Sequence, residues 1–386
     1  MLLIWRVMRS FIAVLFGSST LGMSWPGAAD AAQVSKQTDS MGRDYYLFTP
    51  DKIDPGITYW LVVEVHGYGG QGSLGSGVRE WADRNDCIGV APSFPNEGYQ
   101  LLGKDSDRQL IGIFQKLQNQ YKLHDKLFIY GHSGGAQFSH RFALKYPQLV
   151  IGCCATSAGT WATGAGYGDL PEMAASLPFA ISCGERDTGF AAPGMPMNRI
   201  TWARRFEEYL GKRHFFYKAR YWPDAGHEGD GQGNADLANE SFSLGTSGMV
   251  GKDRADFDAK TKALDNQVAA GNLGPLMTGG GELLKKMKMR DAKQTADNLA
   301  AAGWNAGPPA ISTCTQRAQE FVAERMQKLE LDVEKAALER IAMIEKEPGS
   351  DAFIKLRSLD NTFAGWPRVR EAVNAAELQL RTKARL

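Results

Sequence analysis

Between Asp44 and about Phe242, short apolar runs alternate with stretches of helical period. The runs at 45–48, 60–65, 88–91, 127–130, 151–155, 179–183 and 215–221 have strand length. Several are apolar throughout, and a strand can be so only if both of its faces are buried. Leu110, Ile113, Phe114 and Leu117 share one face of a helix between two such runs. The alternation predicts an α/β fold, a mainly parallel sheet with helices on both faces. Residues 243–251 then turn to Gly, Ser and Thr, and no strand pattern follows, which predicts a boundary. Beyond it, Val322, Met326, Leu329, Val333 and Ala336 recur at steps of three and four within 315–347. That is one long amphipathic helix. Pro348 and Gly349 stop it, and Ser350 or Asp351 can cap a further helix. The expected organisation is an α/β domain over 32–250 followed by a smaller all-helical C-terminal domain over 251–386.

Residues 1–31 follow a different pattern. Arg6 and Arg9 precede an apolar run over 11–16 that weakens towards Trp25, and Ala29 and Ala31 supply small residues at the cleavage positions. This is the layout of a secretory signal peptide. A membrane anchor would need about 20 apolar residues, and Gly17, Ser18, Ser19 and Thr20 interrupt the run. The expectation is a secreted or periplasmic protein with no stable membrane insertion. The first cysteine is Cys87 and no twin-arginine pair is present, so neither lipid anchoring nor twin-arginine export is expected.

Composition narrows the classes. The 386 residues are 43% hydrophobic and 23% charged, which suits packed domains and excludes wholesale disorder. The net charge is +1, so charge gives no reason to expect a nucleic acid as partner. Five cysteines are too few for a disulfide framework, and the odd count leaves one unpaired in a monomer.

The chemistry centres on Gly131, His132, Ser133, Gly134 and Gly135, which follow a strand pattern and precede a helical one. A G-x-S-x-G string in that context is a nucleophile elbow. The turn from strand to helix is so tight that the serine is strained, and the glycines let strand and helix pass without Cβ clashes. Ser133 would stand at a helix N-terminus, where the Gly134 amide favours a developing oxyanion. A serine hydroxyl needs a base and an orienting acid, expected here in the order Ser, acid, His. Of six histidines, His66, His124 and His132 come before Ser133 and His140 is on the helix after the elbow, which leaves His214 and His227. His214 is expected to begin a strand, whereas His227 falls in the loop after it, so His227 is the base. Asp187, just past the strand at 179–183, is the acid, with Glu185 as its nearest competitor and Arg186 a solvated loop charge. The second oxyanion donor is expected in the loop His66, Gly67, Tyr68, Gly69, Gly70, as the Tyr68 amide or, second, that of Gly67.

With these residues in place, the stretch from Gly42 to about Gly231 resembles the secreted α/β-hydrolases that include polyhydroxybutyrate depolymerases, feruloyl esterases and acetylxylan esterases. The shared features are the early strand ending at Pro50, the His66-Gly67 loop, Trp81, Ala82 and Asp83 before an apolar strand, the elbow, Tyr146-Pro147 and Asp187. The resemblance covers about half the chain and leaves out the helical tail. It implies hydrolysis of a small or polysaccharide-linked carboxylic ester through an acyl-enzyme, with no metal or cofactor. Two rival readings are a prolyl-oligopeptidase-like peptidase, for which no propeller repeat is present, and a non-catalytic binding protein that docks a partner or a second copy through the helical tail.

Other strings carry less. Cys153, Cys154 and Cys183 lie on strand patterns and are expected to be buried thiols rather than metal ligands. Gly279, Gly280 and Gly281 lack the Lys-Ser or Lys-Thr of a phosphate loop and read as a turn. Trp161, Tyr167, Phe190, Met195 and Met197 follow strands near the active edge, so they either line a substrate pocket or pack the loops.

Overall fold

The computed structural model describes residues 33–74, 82, 85–164, 166–271, 289–347 and 351–383. The proposed signal peptide, Trp81, Asp83, the triple glycine at 279–281 and the stop at 348–350 lie outside them. Eight strands form one sheet: β1 Gln33–Thr38, β2 Asp44–Thr49, β3 Tyr59–Val65, β4 Cys87–Pro92, β5 Leu123–His132, β6 Val150–Thr156, β7 Phe179–Gly184 and β8 Tyr217–Trp222. Their order is β1-β2-β4-β3-β5-β6-β7-β8. The pairs β1–β2 and β2–β4 are antiparallel, and all other pairs are parallel. β4, β6 and β7 are buried at every position, which is why they are written without alternation.

All seven expected strands are present, and β1 is an addition. Its sequence, QVSKQT, has one large apolar residue, and it sits at the sheet edge held by register with β2 rather than by burial. The strand expected from 215 starts at Tyr217 instead. His214 has φ of 55° and ends the preceding helix: its N–H donates to the Gly211 carbonyl and that of Phe215 to Leu210. This is a Schellman stop with histidine where glycine is usual.

The helices are α1 Ser106–Gln118, α2 Gly134–Lys145, α3 Arg199–Lys212, α4 Gly231–Ser247, α5 Gly251–Ala269, α6 Ala292–Ala301, α7 Pro308–Ile344, α8 Asp351–Thr362 and α9 Pro367–Lys383. The Gly, Ser and Thr stretch expected to mark a boundary is largely the buried end of α4. Small side chains are there for close approach: a Cβ on Gly245 would stand 2.6 Å from the Ile151 carbonyl oxygen. Ser241 donates its hydroxyl to Pro178 O at 2.8 Å. Composition alone does not separate a linker from such a contact.

The chain divides into two compact units. The first runs to Thr246 and also takes in Leu299–Thr313; the second is Ser247–Asn298 and the chain from Cys314 onward. The division is therefore not a single cut at 250. Residues 299–313 belong with the sheet because Asn305 bridges to Tyr217 of β8, and the Trp304 indole N–H donates to Glu240 at 3.0 Å. The second unit is helical, with Val322, Leu329 and Val333 buried beside Phe257, Phe363 and Val373. The long helix starts at Pro308 rather than 315, with prolines in its first turn, where no N–H partner is lost. Among the described residues no helix is long and apolar enough to cross a membrane.

Candidate active site

β5 ends at His132 and α2 begins at Gly134, leaving Ser133 between them at φ 56°, ψ −117°. That backbone is costly for a side-chain-bearing residue, and strain of this kind gathers at functional sites. Neighbouring glycines make it attainable. A Cβ on Gly131 would lie 2.5 Å from the Gly135 carbonyl carbon, and one on Gly135 would lie 2.1 Å from Val65 O. β3, β5 and α2 therefore converge where only hydrogen fits. The Ser133 N–H donates to Thr156 O at 2.9 Å, pinning the turn to β6. Sheet order, the antiparallel β2 and this elbow together decide the fold family. The chain has an α/β-hydrolase fold.

Within this fold, β7 ends at Gly184 and the chain turns so that the Asp187 N–H donates to Gly184 O at 3.1 Å. The loop bearing His227 presses against it: a Cβ on Gly184 would be 2.1 Å from Gly226 O. Three side chains from distant positions meet. His227 Nε2 lies 2.9 Å from Ser133 Oγ, and its Nδ1 lies 2.8 Å from Asp187 Oδ2. Asp187 is 4% exposed, and the carboxylate accepts from Nδ1–H, which leaves Nε2 as acceptor for the serine hydroxyl. The His227 side chain is 39% exposed, so the site opens to solvent. Glu185 and Arg186 are engaged elsewhere, with Arg204 at 2.9 Å and Asp224 at 2.6 Å.

The His66–Gly70 loop lies against the elbow. A Cβ on Gly134 would stand 2.7 Å from the Tyr68 amide nitrogen, and one on Gly67 would stand 3.8 Å from the Ser133 Cβ. Neither the Gly134 nor the Tyr68 N–H has an acceptor among the described residues, while Gly69 N–H is taken by Asn96 Oδ1 at 2.9 Å. His66 braces this loop. Its Nε2 accepts from Phe94 N–H at 3.0 Å, so Nδ1 carries the proton and donates to Gly67 O at 2.8 Å. The Tyr99 hydroxyl adds a bond to His66 O at 2.7 Å.

Two site residues escape a reading of motif order. His132 stands between the elbow glycine and Ser133, its ring 5.1 Å from that of His227. Its Nδ1 is 3.0 Å from Thr156 Oγ1, and its buried Nε2 has no partner among the described residues. Burial, and the neighbouring His227, push its pKa down to about 4, so it is neutral near pH 7. Arg199, the first residue of α3, places Nη1 3.6 Å from Asp187 Oδ1. Cys183 offers its thiol to Oδ2 at 3.8 Å, and burial beside Asp187 pushes that thiol up to about 12.

Pocket expectations fare differently. Trp161 is fully buried, its ring 5.0 Å from both His140 and Phe206, so it packs the core and lines no pocket. Tyr167 is half-buried with its ring edge on Trp202, and its carbonyl accepts from Arg141. Phe190 is exposed. Met197 borders a hollow of about 600 Å³ with Thr163 and the outer side of α3, and none of Ser133, Asp187 or His227 lines it. All five cysteines are unpaired and buried. Among the described residues no group of three or more His, Cys, Asp or Glu side chains is placed to hold a metal ion.

No family model and no curated protein matches the sequence. Solved structures resemble part of it. A poly(aspartic acid) hydrolase from Sphingomonas sp. KT-1 is 22% identical, with 54% of this chain and 96% of its own covered and a TM-score of 0.42. A poly(3-hydroxybutyrate) depolymerase from Bordetella parapertussis is 19% identical over 57% and 92%, with a TM-score of 0.42. A ferulic acid esterase from Anaeromyces mucronatus is 16% identical over 58% and 93%, with a TM-score of 0.43.

Proposed function

We propose that this protein is a serine hydrolase that cleaves carboxylic esters through an acyl-enzyme. The observation that carries the reading is the unbroken relay from Ser133 Oγ through His227 to Asp187, at 2.9 and 2.8 Å. Ser133 attacks the ester carbonyl carbon as its proton passes to His227 Nε2. The tetrahedral oxyanion falls between the Gly134 and Tyr68 N–H groups, and such donors typically contribute a factor of about 10²–10³ each. As the intermediate collapses, the C–O bond to the alcohol breaks and His227 returns the proton to the leaving oxygen. Water then attacks the acyl-enzyme with His227 as base, and the acid leaves. Asp187 keeps the imidazole in the right tautomer and stabilises the imidazolium.

Export belongs to the same proposal. A secreted or periplasmic enzyme meets extracellular esters, and the pattern of residues 1–31 supports that destination. Turnover of p-nitrophenyl acetate tests the chemistry. Ser133→Ala should lower kcat by about 10⁴-fold or more, with circular dichroism unchanged; turnover equal to wild type would refute the reading. Comparing matched ester and amide substrates separates an esterase from a peptidase.

A further inference from the structure

Arg199 breaks a local rule. It is the first residue of a 14-residue helix whose first turn holds no acidic side chain. A cation there opposes the helix dipole, which favours negative charge at that end. The helix is otherwise capped in the usual way, the Asn198 side chain accepting from Thr201 N–H at 2.9 Å. Local rules broken without local compensation mark functional places, and the compensation here is Asp187.

The start of α3 is clamped to the acid's loop. Arg199 N–H donates to Gly189 O at 3.0 Å, and Ile200 N–H donates to Asp187 O at 3.2 Å. The guanidinium, 19% exposed, reaches Asp187 Oδ1 while His227 holds Oδ2. Gly189 makes room: a Cβ there would stand 2.7 Å from Arg199 Nη1. Among the described residues, no other arginine or lysine pairs with Asp187.

The charges facing the pair are few. Cys183 from β7 meets Asp187 as a thiol, and His132 from β5 faces His227 as a neutral ring. Exposed Glu228 lies on the histidine's own loop. A cation on the outer oxygen of a buried carboxylate draws charge away from the oxygen that meets the imidazole and so weakens the carboxylate's hold on the imidazolium.

We propose that Arg199 is a positioning residue for the Asp187–His227 pair, fixing the carboxylate through its outer oxygen and lowering the basicity of the imidazole. The inference rests on the hydrolase reading for its catalytic meaning. Its test does not need turnover: the His227 ring is titrated by NMR in the full chain, with the resonance assigned by its loss in His227→Gln. Arg199→Met should raise the His227 pKa by about one unit and move the acidic limb of kcat/KM upward by the same amount, while Arg199→Lys keeps most of the wild-type value. Gly189→Ala, which displaces the guanidinium, should shift the pKa in the same direction by less. A folded Arg199→Met protein with an unmoved His227 pKa and a lower rate at every pH overturns the inference. If Arg199→Met does not fold, an unmoved pKa in Gly189→Ala does so. Absent turnover in wild type refutes the esterase reading instead, and the titration still decides the electrostatic claim.

Discussion

His132 illustrates how one side chain can be silent in a sequence and consequential in a fold. As the variable position of G-x-S-x-G it carries no motif information, yet it lies beside the His227 ring with a buried nitrogen that has no partner among the described residues. Its depressed pKa has a stability consequence. The unfolded chain binds the proton near pH 6.5 and the folded one near 4, so stability is lost as pH falls through that window. The loss reaches on the order of 3 kcal/mol at the acid end. His66, His124 and His140 are lowered by burial too, so the whole trend has the same sign. Urea midpoints at pH 7 and pH 5 should fall less for His132→Gln than for wild type; equal falls would contradict the assignment. Ser133, Asp187 and His227 were legible because strand ends and chain order name them. Arg199 was not, since its meaning depends on a helix start folding back onto the acid's loop.

At the scale of elements, the legible parts were those whose burial is written into their composition. β4, β6 and β7 are continuous apolar runs inside the sheet. β1 is polar and exists through pairing with β2, a long-range fact that no local pattern carries. α4 reverses the case, because residues whose composition reads as a domain boundary are buried for close contact with β6. Gly245 makes this testable. In an exposed helix Gly→Ala gains up to about 1 kcal/mol. Here the new Cβ meets a backbone oxygen at 2.6 Å, and overpacking of that kind costs about 1–3 kcal/mol. Gly245→Ala should therefore lower the thermal midpoint of unfolding, and a raised midpoint would show that α4 yields at no cost.

At the scale of the molecule, the described residues form two cores, one around the sheet and one among the helices of the second unit. The helical tail was legible from the heptad-like spacing of Val322, Leu329 and Val333, but the return of Leu299–Thr313 to the sheet was not. Asn305 and Trp304 find Tyr217 and Glu240 through tertiary contact alone. A chain cut after residue 250 would lack part of the first unit, so the chemistry is best examined on the whole protein. The most direct measurement is the site of fluorophosphonate attachment, read by peptide mass spectrometry on the intact purified chain and on His227→Gln. The account predicts a single adduct on Ser133 that forms in wild type and is slowed by orders of magnitude in the variant. An unlabelled Ser133, or labelling that proceeds as fast without His227, would contradict it.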